Sequence, residues 1–153
     1  MLTHQKQLNF DVFADAELAT TTIGTSFSAP LLGSYVPAGF PSPIDDYRDE
    51  VMDLNEHCIQ NPGTTYYVRA SGDSMINAGI HDQDVLVLDR SIKAKDGSIV
   101  VAALNGDFTV KVLKTSPELC LEPRNDAFST IQISDTDDFD IFGVVTYVVH
   151  ATA

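Results

Sequence analysis

Two residues of this 153-residue chain have the chemistry of a hydrolytic pair, Ser74 and Lys111. Ser74 lies in the segment Ser71-Gly72-Asp73-Ser74-Met75, where glycine permits a tight turn that would expose the serine hydroxyl. Lys111 lies in Phe108-Thr109-Val110-Lys111-Val112-Leu113, an apolar run typical of a β-strand. A serine nucleophile and a lysine general base together form a Ser/Lys dyad.

A lysine acts as a general base only in its neutral form. At the ordinary pKa, near 10.4, about one molecule in 2,500 is neutral at pH 7, whereas a pKa near 8 would leave roughly one in ten. Strand alternation places Thr109, Lys111 and Leu113 on one face, where burial would lower the lysine pKa and the Thr109 hydroxyl could orient the amine. The backbone N–H groups of Asp73 and Ser74 are candidates for an oxyanion hole.

A candidate substrate is present in the same chain. Ala38-Gly39, within Val36-Pro37-Ala38-Gly39-Phe40-Pro41, has the small side chains of a peptidase cleavage site. The pattern therefore predicts that the chain cuts itself. Spacing and composition alone also allow a second interpretation, in which Ser74 is an ordinary turn residue and Lys111 protects an edge strand with its ammonium in water.

Composition sets the protein class. The length and the 44% hydrophobic content predict one domain with a core of ordinary size. The formal net charge of −13 argues against a nucleic-acid-binding surface, so we expect any DNA contact to be made through partners. The two cysteines have no CxxC spacing, and no signal peptide or membrane span is evident. We therefore expect a cytoplasmic protein with reduced thiols.

The elements that must position the dyad are mostly strands. Residues 1 to about 43 are small, polar and interrupted by Gly and Pro, which predicts an arm. A helix is predicted from Ser42 to Cys58, ended by Asn61-Pro62-Gly63. The remaining segments predict a compact, curled antiparallel sheet. Its strands are Tyr66–Ala70, Asp84–Asp89, Ser98–Leu104, Asp107–Leu113, Leu119–Leu121, Thr130–Ile133 and Ile141–Val149, with a type I′ hairpin turn at Asn105-Gly106.

These motifs together resemble the LexA/UmuD family of self-cleaving Ser/Lys peptidases. The cleavage region, more narrowly, resembles that of the UmuD branch, and the similarity runs from about Pro37 to Val149. The segments that carry it are Ala38-Gly39-Phe40-Pro41-Ser42-Pro43, Ser71-Gly72-Asp73-Ser74-Met75, Asp84-Val85-Leu86-Val87-Leu88-Asp89, Phe108-Thr109-Val110-Lys111 and Phe142-Gly143-Val144-Val145.

The resemblance implies a fold, a reaction and a set of partners. The fold would be the mostly β, LexA/signal-peptidase-like β-clip type, with one short helical segment and a flexible N-terminal arm. Ser74 would be the nucleophile, Lys111 the general base and Ala38-Gly39 the self-cleaved bond, which separates an arm of residues 1–38 from a peptidase domain of residues 39–153. The protein would be a homodimer that the RecA filament activates, and its shortened form would serve a UmuC-type subunit as part of polymerase V in SOS mutagenesis and translesion synthesis.

Some features leave alternatives open. Gln83 stands where many relatives have Gly, and the arm is longer than in the familiar UmuD proteins. A LexA-type repressor is disfavoured by the acidic charge and by the lack of a helix-turn-helix pattern, and a signal-peptidase-like enzyme by the lack of a membrane anchor. A third alternative is a non-catalytic binding module on the same fold.

No metal or other cofactor is expected from the sequence. The four histidines show no metal-ligand spacing, so they are interpreted as surface or loop residues. They are His4, His57, His81 and His150. The acidic run Asp135–Asp140 lacks the glycine and glutamate of a calcium loop and is interpreted as a solvated loop.

Overall fold

The computed structural model describes residues 26, 28–31, 38–41 and 50–153. The chain divides into two compact units, one ending at His57 and the other beginning at Cys58. In the first unit, strands β1 (Ser28–Leu31) and β2 (Glu50–Asp53) pair antiparallel, with Ser28 opposite Asp53. Helix α1 (Leu54–Cys58) follows β2 directly.

The prediction of a helix from Ser42 to Cys58 is confirmed at Leu54–Cys58 and wrong at Glu50–Asp53, which form a strand. Residues 42–49 lie outside the part of the chain that the structure describes. Residues 50–53 form a strand because β1 supplies cross-strand hydrogen-bond partners that local periodicity cannot show. Asp53 then ends the strand and begins the helix, since its Oδ1 accepts a hydrogen bond from the backbone N–H of Asn55 at 2.8 Å. β1 was not predicted, because it lies in the segment interpreted as an arm.

The second unit is built on a seven-stranded antiparallel sheet in the order β3-β4-β9-β5-β6-β7-β8. The bounds of all seven predicted strands agree with the structure to within two residues at each end. The predicted fold class, mostly β with one short helix, is also confirmed. Their bounds are β3 Thr65–Arg69, β4 Val85–Asp89, β5 Ile99–Leu104, β6 Asp107–Lys114, β7 Cys120–Glu122, β8 Ile131–Gln132 and β9 Phe139–Val149. Short 3-10 turns occupy Pro62–Thr64 and Ile76–Ala78.

The long strand β9 joins the two halves of this sheet. Its last residues pair with β4, and its first residues pair with β5. The register of the pairing with β4 shifts between Val87 and Leu88, and the register of the pairing with β5 shifts between Val101 and Ala102. Such irregularities increase local twist and bend the strand that carries them. No helix in the described part of the chain is long and apolar enough to cross a membrane.

The hairpin between β5 and β6 sets the position of Lys111 along its strand. Asn105 and Gly106 have φ values of 50° and 89°, the two positive angles of a type I′ turn, so the predicted hairpin is confirmed. The Asn105 amide nitrogen donates to Asp137 Oδ1 at 2.9 Å, and its oxygen accepts from the Asp138 N–H at 2.9 Å. The acidic run is therefore partly tied to the hairpin instead of being wholly solvated.

Two clusters of buried side chains form the core of the second unit. The first contains Ala70, Met75, Ile80, Leu86 and Val112, and the second contains Val100, Ala102, Leu113, Leu121 and Val144. Met75 and Val112, which share the first cluster, are the chain neighbours of Ser74 and Lys111. Their packing therefore holds the serine loop, residues 71–75, against strand β6.

Candidate active site

Ser74 and Lys111, 37 positions apart in the chain, meet at the edge of the first core cluster. Lys111 Nζ lies 3.0 Å from Ser74 Oγ, a direct hydrogen bond. Strand β6 supplies the lysine, and the turn before Ile76–Ala78 supplies the serine. The two side chains that the sequence singled out are therefore in contact.

The Lys111 side chain is only 8% exposed. Its amine also bonds Thr109 Oγ1 at 2.7 Å and the Val110 carbonyl oxygen at 3.0 Å. Within the part of the chain that the structure describes, no carboxylate lies within ion-pair distance of this amine. Desolvation by burial therefore lowers the pKa of Lys111 from its usual value, with no opposite charge to restore it.

The three partners of the amine can serve its neutral form as well as its three-donor ammonium form. A neutral amine has two N–H donors and one lone pair. The donors match Thr109 Oγ1 and the Val110 carbonyl oxygen, which leaves the lone pair for the Ser74 hydroxyl proton. This is the arrangement that a general base needs toward a serine nucleophile.

The serine loop is anchored from two sides. On one side the Arg124 N–H donates to the Ser74 carbonyl oxygen at 2.7 Å, and the Asn125 amide donates to the Asp73 carbonyl oxygen at 3.0 Å. On the other side the Gly72 N–H donates to Asp82 Oδ1 at 2.7 Å. Gly72 has a φ of 85°, which other residues adopt only with strain. The loop thus holds Ser74 with little dependence on its own side chain.

The backbone around the serine leaves donors available. Among the described residues, the N–H groups of Asp73 and Ser74 donate to no protein acceptor. Both belong to the turn that presents Ser74, next to a cleft of about 190 Å³. The cleft is lined by residues of the serine loop and of β6, among them Gly72, Ser74, Phe108, Thr109 and Lys111.

The predicted cleavage residues lie in the first unit. Ala38 and Gly39 are exposed, and Phe40, which follows them, is 92% exposed. Exposure of small residues and of their backbone is what a peptidase substrate requires.

Sequence reasoning missed the residues that anchor the serine loop and one polar cluster. Asp82, Arg124 and Asn125 carried no local signal, because their partners are backbone groups distant along the chain. His81 and His150 lie in loops, as interpreted from the sequence, but the sequence did not predict that both contact Asp84.

Similarity to known proteins identifies the family of this chain. The Peptidase S24-like family model matches residues 30–146. Protein SamA of Salmonella typhimurium is 46% identical over 125 residues, which cover 82% of this chain and 87% of SamA. Protein MucA of Escherichia coli is 46% identical over 121 residues, 78% of this chain and 83% of MucA.

A more distant relative is the LexA repressor of Xylella fastidiosa. It is 39% identical over 116 residues, which cover 75% of this chain and 54% of the repressor. The mostly β fold, the match to the family model and these identities lead to one conclusion: the chain belongs to the Peptidase S24-like family, as a UmuD-like member of the LexA/UmuD peptidases.

Proposed function

We propose that this chain is a self-cleaving Ser/Lys peptidase of the SOS mutagenesis response that cuts its own Ala38-Gly39 bond. The observation that carries the proposal is the 3.0 Å contact between Ser74 Oγ and the amine of a buried lysine that has no carboxylate partner in the described part of the chain. Structural lysines of this kind are rare, because an unpaired buried ammonium is costly. A lysine whose pKa is lowered by burial, placed beside a serine, is suited to proton transfer.

The reaction proceeds in two halves. Neutral Lys111 takes the hydroxyl proton of Ser74 while Oγ attacks the carbonyl carbon of Ala38, and the N–H groups of Asp73 and Ser74 bind the resulting oxyanion. Collapse of this intermediate breaks the bond to Gly39, whose amine leaves with the proton from Lys111. Water, deprotonated by Lys111, then hydrolyses the ester between Ser74 and Ala38. The products are residues 1–38 and residues 39–153.

The proposed division of the chain follows from this reaction. Residues 1–38 form the arm that is removed, and residues 39–153 form the peptidase domain. Only small side chains flank the bond, so the backbone of the arm can approach the serine closely.

The proposal is tested by following the intact mass of the purified chain during incubation at alkaline pH. We expect two fragments, one of which begins at Gly39 on N-terminal sequencing. Ser74→Ala and Lys111→Ala should each abolish cleavage, and the double variant should be no worse than either, because the two residues act as one unit. Ser129→Ala and Lys114→Ala are controls of the same residue types outside the cleft, and both should cleave at the wild-type rate.

Two other outcomes would contradict the proposed function. Cleavage that survives Ser74→Ala would exclude the dyad. A chain that stays intact under all conditions would favour the non-catalytic binding module on the same fold.

The proposed partners follow from the resemblance to UmuD and from the similarity to SamA and MucA. The RecA filament on single-stranded DNA stimulates the cleavage. The shortened chain acts as a homodimer with a UmuC-type subunit in polymerase V, in the cytoplasm. The net charge of −13 fits a role that depends on protein partners, with no direct contact to nucleic acid.

A further inference from the structure

Two histidines and an aspartate lie together at one end of the sheet, apart from the Ser74–Lys111 pair. Asp84 comes immediately before β4, and His150 comes immediately after β9. Val85 pairs with Val149 in the antiparallel register, which places their chain neighbours Asp84 and His150 side by side. His81 belongs to the turn that leads into β4.

The donor atoms of the three side chains converge. His150 Nδ1 lies 2.6 Å from Asp84 Oδ1, and His81 Nδ1 lies 3.6 Å from Asp84 Oδ2. One ligand atom from each residue can be chosen so that all lie within 4.8 Å of one another. The two imidazole rings stand 4.4 Å apart between centroids and are tilted by 33°.

The chemistry of the donors suits a cation. The Asp84 side chain is 3% exposed. Asp84 Oδ2 accepts a hydrogen bond from the His81 backbone N–H at 2.7 Å, so each of its two carboxylate oxygens is contacted by a histidine nitrogen. His81 Nδ1 is buried and has no hydrogen-bond partner among the described residues. A buried polar atom without a partner is unusual in a native protein.

We propose that His81 Nδ1, a carboxylate oxygen of Asp84 and His150 Nδ1 form a binding site for a divalent transition-metal ion of the zinc type. Imidazole and carboxylate are common ligands of such ions. Ligand bonds of about 2.0–2.2 Å in a tetrahedral site put donors roughly 3.3 Å apart, within the range that this cluster spans. Both histidine side chains are about two-fifths exposed, at 44% and 43%, so water can fill the fourth position.

A metal at this position would connect the end of β9 to the serine loop without touching the dyad. The turn that carries His81 and Asp84 is hydrogen-bonded to Ala70, the residue just before that loop: the Ala70 N–H donates to the Asp84 carbonyl oxygen at 2.8 Å, and the Gln83 N–H donates to the Ala70 carbonyl oxygen at 2.9 Å. Asp82 of the same turn accepts from the Gly72 N–H within the loop. Because the ion would fix both segments, it should reduce local opening of the loop that presents Ser74.

The test is calorimetric titration of Zn²⁺ into the full chain, with Ser74→Ala as the background so that the chain stays intact. We expect one Zn²⁺ per chain. His81→Gln and His150→Gln should each weaken binding by more than about tenfold, because loss of even an outer-shell partner commonly costs at least that much. His57→Gln, a histidine outside the cluster, should bind as the background does. The circular dichroism of the metal-free variants verifies that they fold, which is expected at partly exposed positions.

Two further measurements separate this site from adventitious binding. Co²⁺ in place of Zn²⁺ should give visible absorption bands of a four-coordinate site, and these bands should disappear in both cluster variants. Excess Mg²⁺, which prefers oxygen ligands, should not displace Zn²⁺. The proposal is overturned if no 1:1 binding occurs, if binding survives both histidine variants, or if Mg²⁺ competes effectively. None of these results depends on self-cleavage.

Discussion

At the scale of single residues, the surroundings of Lys111 decide what it can do. The amine is desolvated, with Thr109 Oγ1 and the Val110 carbonyl oxygen as its remaining partners besides Ser74. Desolvation lowers the pKa, and the two fixed acceptors aim the lone pair at the serine hydroxyl. The type of residue at 109 could therefore control how well the base is positioned.

The variant Thr109→Val tests this positioning role. Valine has nearly the same shape but cannot accept the hydrogen bond that now measures 2.7 Å. We expect the plateau rate of self-cleavage at high pH to fall about 5- to 30-fold, which corresponds to roughly 1–2 kcal/mol for one lost hydrogen bond. The midpoint of the pH profile should not rise, because an acceptor that favours the ammonium is removed.

The matched control is Thr115→Val, at an exposed position outside the cleft, and it should leave the rate unchanged. An unaltered plateau in Thr109→Val would show that the Thr109 hydroxyl does not position the amine.

At the scale of elements, the site depends on how β9 packs between β4 and β5. Gly143 lies on β9 beside β4, where an added Cβ would come within 2.5 Å of Leu88 Cδ1 and 3.4 Å of the Asp89 carbonyl oxygen. Leu88 is fully buried and has little room to move. Glycine at this position is therefore a packing requirement.

We expect Gly143→Ala to lower the free energy of unfolding by about 1–3 kcal/mol, the usual cost of overpacking a core. Urea denaturation in the Ser74→Ala background measures it. Gly63→Ala is the control, since an added Cβ there meets nothing within 4 Å. It should be neutral or slightly stabilising. Equal stability of the two variants would mean that the sheet adapts at Gly143.

Element prediction from the sequence succeeded where the signal was local. The strands of the second unit alternate or run apolar between turn residues, and Asn105-Gly106 specifies its own turn type. It failed at Glu50–Asp53, where a helical spacing of apolar residues competes with pairing to β1. It also missed the contact between Asp84 and His150, because only the register of β4 against β9 brings them together.

At the scale of the whole molecule, two separate barriers would control self-cleavage. One is protonation of Lys111, and the other is delivery of the Ala38-Gly39 bond to Ser74. The sequence predicted the serine, the lysine and the bond from motifs. The contact between the two side chains and the desolvation of the amine required the fold, because they depend on packing between residues 37 positions apart.

We expect a RecA filament on single-stranded DNA to act mainly on the second barrier, by favouring the conformation in which the arm is docked. Cleavage at neutral pH should then be faster, and its pH dependence should be shallower or reach its plateau at lower pH. Electrophoresis of samples incubated with the filament, or with RecA lacking DNA as the control, measures this. Equal rates in the two samples would exclude stimulation by the filament.

The central claim is that neutral Lys111 is the base for Ser74, and the pH profile of spontaneous cleavage tests it most directly. Burial lowers the pKa of Lys111 below its usual value, so the neutral fraction rises with pH and saturates earlier than for an exposed lysine. The first-order rate, measured by intact mass from pH 6 to 11, should rise about tenfold per pH unit and then level off below about pH 10.5. A rate that stays flat from pH 7 to 10 would contradict the mechanism.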